Sequence, residues 1–252
     1  MHTIRIIGPG RAGTSLAAAL SARGWPFAGF LGRGDDLSGA ARGVDLLVLA
    51  TPDDAIAEVA AAVQPVPTTT VVHLSGSLGL EALAPHLRRA GLHPLVPLPN
   101  GAAGAARLSS GVTFAVAGDP LARAIVESLG GRVVEVADGD RAAYHAAACI
   151  AANHVVALLG QVERVATSVG LDLESFLPLT RAAVDDVADL GPGAALTGPA
   201  RRGDWATLSR HLDALPENER AAYQAGAALA TRLAETASSA QDHERAGEPA
   251  AV

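Results

Sequence analysis

Apolar residues in the first half of the chain fall in short unbroken runs divided by turn residues. Thr3 to Ile7, Phe27 to Leu31, Asp45 to Ala50 (DLLVLA) and Thr70 to Leu74 (TVVHL) each read as a strand. They are apolar throughout rather than alternating, the pattern of parallel strands covered on both faces. Thr14 to Arg23, closed by Gly24, predicts a helix between the first two. Between Arg33 and Val44 there is room for only a trimmed connection. Val112 to Ala117 and Arg132 to Val136 (RVVEV) predict two more strands around a helix from Pro120 to Leu129, and another strand is expected near Gly91.

After Asp138 the period changes. Arg141 to Val169, Leu173 to Asp189, Trp205 to Leu215 and Glu217 to Glu235 all follow helical spacing, with no strand-like run among them. The fold class is therefore α/β, a Rossmann-type parallel sheet domain followed by an all-α C-terminal domain. The sequence divides into residues 1–137, an α/β domain, residues 138–237, a helical domain, and residues 238–252, a polar tail that reads as disordered.

The first strand runs straight into Gly8-Pro9-Gly10-Arg11-Ala12-Gly13 and then into a helix. That is the context a dinucleotide phosphate loop requires. Gly8 allows the tight turn, Gly10 lets a pyrophosphate approach the backbone, and Gly13 lets helix and strand pack closely. The helix start, with Arg11 and Ala12, offers amides and a positive dipole end. Where an acidic residue would hold a free ribose hydroxyl, the second strand ends in Leu31-Gly32-Arg33. An arginine fork there suits a 2′-phosphate and favours NADP(H) over NAD(H); the alternative gives the ribose to Asp35 or Asp36 and leaves Arg33 in solvent. Thr51-Pro52-Asp53-Asp54 and Ser75-Gly76-Ser77 follow the next two strands. Thr51 as an N-cap explains the first and a turn explains the second, yet both stand where ribose and nicotinamide lie, so Thr51, Pro52 and Ser75 join the cofactor residues.

Composition narrows the chemistry. With 49% apolar but only 3% aromatic residues, the core must be built from Ala, Val and Leu. A net charge of −7 and scattered arginines exclude a nucleic-acid footprint. The lone Cys149 forms no internal disulfide, and neither a leader pattern nor a run of about 20 apolar residues is seen, so a cytoplasmic protein without a membrane anchor is expected. All 19 basic residues are arginines, which removes every mechanism that needs a lysine. Neither a metal-ligand pattern nor a Gly-x-Ser-x-Gly elbow is present.

Six strings carry a family resemblance: GPGRAG at Gly8, ATPDDAI at Ala50, HLSGS at His73, LHPL at Leu92, YHAAACIAANHVVAL at Tyr144 and LTGPARRGD at Leu196. The chain resembles the Rossmann-like proteins with a helical C-terminal domain of uncharacterised function, relatives of ketopantoate reductase, pyrroline-5-carboxylate reductase and 6-phosphogluconate dehydrogenase. The resemblance implies an NADP-dependent oxidoreductase, a second domain that dimerises into a homodimer, a substrate cleft between the domains, and hydride transfer to a carbonyl or imine. Ketopantoate reductase and its hydroxyacid relatives place a lysine and an asparagine four residues apart on the first helix of the second domain. Asn153 matches the asparagine, whereas Cys149 stands where the lysine would be. A small 2-oxo acid like ketopantoate is the leading substrate, with a cyclic imine or a non-catalytic dinucleotide-binding sensor or scaffold as alternatives.

Among catalytic candidates His145 comes first, because an imidazole that titrates near neutrality can donate to a carbonyl oxygen and release a proton. It shares a helical stripe with Cys149 and Asn153. His93, in a loop expected at the sheet's carboxyl edge, is second. Both have an equally ordinary reading as structural histidines. Thr197, Gly198, Arg202 and Asp204, in the polar link LTGPARRGD, are expected to hold a substrate carboxylate, although capping alone accounts for Asp204.

Overall fold

The computed structural model describes residues 2–247, and the chain separates into two compact units, Met1–Ala152 and Asn153–Val252. In the first, seven strands form one sheet in the order β2-β1-β3-β4-β5-β6-β7. They are β1 (Ile4–Ile7), β2 (Phe27–Leu31), β3 (Leu46–Leu49), β4 (Thr70–His73), β5 (Arg88–Pro94), β6 (Thr113–Gly118) and β7 (Arg132–Glu135). Helices α1 (Arg11–Ala22), α2 (Asp53–Ala62), α3 (Gly101–Leu108), α4 (Leu121–Leu129) and α5 (Arg141–Cys149) complete this unit.

Strands β2, β1, β3, β4 and β5 are parallel, as their apolar runs predict. The β5–β6 pair is antiparallel, which turns β6 and β7 against the rest and corrects the expectation of a uniformly parallel sheet. The chain leaves β1 for β2 on one side and returns to β3 on the other, so the strand order reverses between β1 and β3. Open α/β sheets bind ligands at the carboxyl ends of such a switch point.

Both faces of the sheet are covered at its centre, while the edge strands β2 and β7 are largely exposed. Every residue of β3 is fully buried, and successive residues serve opposite layers. Leu46 and Val48 join Leu16, Leu20, Phe114 and Ile125 on one side; Leu47 and Leu49 join Ile56, Val71 and Leu83 on the other. Helix α3 lies so close to α1 that a side chain on Gly104 would collide with the Ser15 hydroxyl. Between β2 and β3 there are only turns, the shortened connection the sequence predicts.

The second unit holds α6 (Val155–Ser168), α7 (Leu177–Leu190), α8 (Pro192–Ala195), α9 (Gly198–Arg202), α10 (Trp205–Ala214) and α11 (Glu217–Gly247), and among its described residues there is no strand. The division falls at Ala152, beyond the residue 137 boundary expected, because α5 packs on the sheet: Arg141 lies against β5 and His145 against the loop after β4. A π-helical turn, Ile150–His154, joins α5 to α6. The stretch Asp138–Ser168 is long and apolar enough to cross a membrane by length and composition alone. Helix α11 continues through residues 238–247, where a disordered tail was expected, and residues 248–252 lie outside the described part.

Candidate functional site

At the end of β1 the chain turns on Gly8, whose φ of +103° belongs to glycine, and a Cβ there would stand 2.6 Å from the Ala50 carbonyl oxygen. Gly13 is buried under the same turn, and its missing side chain lets α1 sit against Gly8 and Ile6. Gly10 faces open space, with nothing within 4 Å of where a Cβ would be. No side chain caps α1 and no acidic residue occupies its first turn, so its leading amides remain available to an anion. Arg11 and Ala12 form that first turn, with Arg11 exposed.

A cavity of about 640 Å³ opens beside the loop, bordered by Gly8, Gly10, Arg33, Thr51 and Pro52 among others. The structure thus brings these five expected cofactor residues onto one cavity. Thr51 does not cap α2, contrary to the capping expectation. Pro52 holds the N-cap position, and the Thr51 hydroxyl is buried without a hydrogen-bond partner. Arg33 is exposed at the rim. The two acids that could replace it are engaged within their own loop. Asp35 accepts from the Gly32 amide at 2.7 Å and Asp36 from the Ser38 amide at 2.9 Å, a bond that holds the Asp36 carboxyl below its usual range.

The strand register carries the edge onward from this cavity. Ile7, Leu49, His73 and Gly91 are successive partners across β1, β3, β4 and β5, so His93 stands two residues beyond that line at the sheet's carboxyl edge. Ser75, expected at the cofactor, is buried in the loop after β4 and donates to the Asp53 carboxylate at 2.6 Å; Ser77 donates to the same oxygen at 3.0 Å. Gly76 lies between them, and a side chain there would run into the rings of both His145 and His93.

Helix α5 meets this loop with Arg141, Tyr144 and His145. The Tyr144 hydroxyl lies 2.7 Å from Nδ1 of His93, with the rings edge-on. His145 stacks edge-on against His93 from the other side, 5.6 Å between ring centres. Its Nδ1 is buried and unbonded, and its Nε2 lies 3.6 Å from the Cys149 sulfur. Burial, then the neighbouring His145 and Arg141, lowers the pKa of His93 to about 4. Burial pushes the Tyr144 phenol up to about 12.

Under the histidines, Arg141 is fully buried. It donates from Nη1 to the Ser75 carbonyl at 3.2 Å, stands 3.6 Å from an Asp138 oxygen, and leaves Nη2 unbonded. His73 is fully buried beside it, and its ring nitrogens make no hydrogen bond of ordinary geometry. Burial and then the Arg141 charge lower its pKa to about 4. Sequence reasoning singled out His93 and His145 but missed Arg141, Tyr144, His73 and Asp53. One signal was present: Arg141, Tyr144 and His145 stand at i, i+3 and i+4 and share a helix face.

In the second unit, Asn153 is exposed in the π-helical turn. Thr197 is the N-cap residue of α9 without a side-chain bond, Gly198 has φ of +85°, and Arg202 is exposed in the last turn. Asp204 is the N-cap of α10, accepting from the Thr207 amide at 3.1 Å and its hydroxyl at 2.8 Å, so the capping alternative describes what it does in this fold. Among the described residues, no group of three or more His, Cys, Asp or Glu side chains is placed to hold a metal ion.

Residues 111–230 match the family described as a domain of unknown function, DUF2520. No curated protein matches the sequence. Among solved structures, a protein from Thermotoga maritima is 23% identical with a TM-score of 0.71, covering 92% of this chain and 98% of its own. A Bacteroides fragilis protein, provisionally named an NADP oxidoreductase, is 20% identical with a TM-score of 0.76 over the same shares, 92% and 98%. The pyrroline carboxylate reductase of Plasmodium falciparum, solved with NADP bound, is 12% identical with a TM-score of 0.58 and again 92% and 98% coverage. These likenesses establish the fold: the chain is a Rossmann-like protein with a helical C-terminal unit.

Proposed function

We propose that the protein is an NADP-dependent oxidoreductase that reduces the carbonyl group of a small 2-oxo acid such as ketopantoate. The observation that carries this reading is an uncapped helix start and an open glycine cradle, on the same sheet edge as a cluster of proton-bearing side chains. Gly8, Gly10 and the first turn of α1 with Arg11 and Ala12 would hold the pyrophosphate. Arg33 would hold a 2′-phosphate, Thr51 and Pro52 would border the ribose and nicotinamide, and buried Ser75 would act behind them by fixing the loop after β4. Bound there, the dinucleotide supplies a hydride. The NADP named for the Bacteroides and Plasmodium structures supports the same choice of cofactor.

Negative charge develops on a carbonyl oxygen as it is reduced, and the protein must meet it with a donor. His93, Tyr144 and His145 are the groups this chain offers at that edge. Asn153, Thr197, Gly198 and Arg202 are the polar groups we propose for a substrate carboxylate. Asp204 would act there indirectly, by fixing the start of α10. A cyclic imine is the second reading, supported by the likeness to pyrroline carboxylate reductase. The assembly we propose is a homodimer in the cytoplasm, joined through the helical unit, where Val156, Leu158, Leu179 and Leu190 are each more than half exposed.

Titration with NADPH, followed by its oxidation in the presence of 2-oxo acids and cyclic imines, tests this function. Binding with turnover of a 2-oxo acid supports it. Binding without oxidation by any compound of either class would leave the sensor reading in its place.

A further inference from the structure

We propose that Tyr144 and His93 form a proton relay, in which the phenol supplies the proton that His93 delivers from Nε2 to the oxygen of a carbonyl substrate. This rests on the reductase reading above and adds the source and route of the proton.

The geometry selects this pair over His145. Both nitrogens of His145 face protein, Nδ1 buried without a bond and Nε2 directed at the Cys149 sulfur. His93 has only Nδ1 engaged, by the Tyr144 hydroxyl at 2.7 Å, and Nε2 has no partner among the described residues. A neutral imidazole carries one proton, and the bond at one nitrogen decides where it sits. With the phenol donating to Nδ1, that proton is on Nε2, and His93 presents an N–H rather than a lone pair.

The surroundings keep both groups in this state. His93 is faced by His145 and Arg141 from α5, His73 from β4 and Asp53 from α2. Asp53 is the one carboxylate in that group; it favours an imidazolium but is outweighed by burial and by His145 and Arg141, and it accepts hydrogen bonds from the hydroxyls of Ser75 and Ser77. Burial first, then His145 and Arg141, works against an imidazolium at His93, and burial keeps the Tyr144 phenol protonated, with Arg141 opposing it only in part. The relay therefore never requires a charged imidazole.

The step balances as follows. A bound nicotinamide would supply the carbonyl carbon with a hydrogen and its electron pair, and the C=O π pair would move onto oxygen. As that oxygen takes the Nε2 proton of His93, the Tyr144 O–H proton passes to Nδ1. One O–H and one N–H bond break, one O–H and one N–H bond form, and the imidazole ends neutral in its other tautomer. The negative charge finishes on the Tyr144 oxygen; after product leaves, the Nδ1 proton returns to that oxygen and solvent supplies a new proton to Nε2, which restores the starting tautomer. An iminium nitrogen, already protonated, needs none of this, so the relay marks the substrate as a ketone or aldehyde.

The test has two arms, with Tyr144→Phe as the variant. Nitrogen NMR of histidine-labelled protein without nucleotide reads the tautomer: His93 should be protonated at Nε2 and bare at Nδ1, and Tyr144→Phe should abolish that preference. Steady-state oxidation of NADPH reads the chemistry. With ketopantoate the variant should lose about 100-fold or more in kcat with KM within about 3-fold, and with pyrroline-5-carboxylate any wild-type rate should persist. The relay is overturned by a wild-type His93 protonated at Nδ1, by a ketopantoate kcat within about 3-fold of wild type, or by an equal loss on the imine. Wild-type protein that reduces only the imine overturns it as well. Wild-type protein that oxidises NADPH with neither compound sinks the reductase reading itself, and the relay with it.

Discussion

The Ser75 hydroxyl donates to the Asp53 carboxylate across 2.6 Å, tying the loop after β4 to the first turn of α2. The same oxygen accepts from the amides of Ser77 and Leu78, each at 3.1 Å, in a residue only 4% exposed. The bend that brings Gly76 against His93 and His145 is thus held chiefly by Ser75, with the Ser77 hydroxyl adding a bond to the same carboxylate.

Ser75→Ala removes all three bonds and leaves buried amides unpaired, a cost of about 1–3 kcal/mol for such groups. Urea denaturation should show the midpoint falling with the slope unchanged. An unaltered midpoint would mean that the loop is held by something else.

Arg33 is the cation at the cavity rim, and its acidic rivals are spent on their own loop. A charge-assisted bond to phosphate contributes about 1.5–3 kcal/mol, so Arg33→Ala should weaken NADPH binding by at least about 10-fold. NADH binding, which lacks the 2′-phosphate, should move little. Equal losses for the two cofactors would remove the assignment.

Acid should destabilise the sheet unit through its buried histidines. His73 and His93 are lowered to about 4 by burial, and His86 is lowered for the same reason. In the unfolded chain they protonate near 6.5, so that state binds more protons between the two values. Stability is therefore complete above about pH 6.5 and declines as the pH falls towards 4. Fully buried His73 accounts for roughly 3 kcal/mol of that decline. Melting temperatures across this window should fall less in His73→Gln than in the wild-type protein, whereas parallel profiles would contradict the account.

In the helical unit, Val156 is 70% exposed and Leu179 69%. Burying a residue of this kind against a second copy contributes about 1.5–3 kcal/mol. Sedimentation should give a dimer, and Val156→Asp with Leu179→Asp should shift it to monomer with the sheet unit still folded. A monomeric wild-type protein would leave those faces to another partner.

The central strands were legible as unbroken apolar runs, and β3 shows why: with Leu46, Leu47, Val48 and Leu49 all buried, both faces demand apolar residues. The direction of β6 was not legible, since an apolar run records burial and not polarity. Helix α3, GAAGAARL, carries two glycines and a weak helical signal, and no element was expected there. Within the site, the glycine loop is a local pattern and was found. The set of Arg141, Tyr144, His73 and His93 is not local. It exists because the sheet order places β5 beside β4 and α5 returns over both, and residue spacing alone does not reveal that. Asp204 shows the reverse case: Thr207 stands three residues on, and the capping interaction could be read from the string.

The central claim is that the open space at Gly10 is the seat of an NADPH pyrophosphate, and one titration addresses it. Gly10 has nothing within 4 Å of a Cβ position, so Gly10→Leu fills the cradle without disturbing the packing beneath it. Fluorescence titration with NADPH should show saturable binding to the wild-type protein and a loss of at least about 10-fold in Gly10→Leu, given the anion-binding role of such a helix start. The melting temperature should be unchanged. No saturable binding to the wild-type protein, or equal binding to both, would contradict the account.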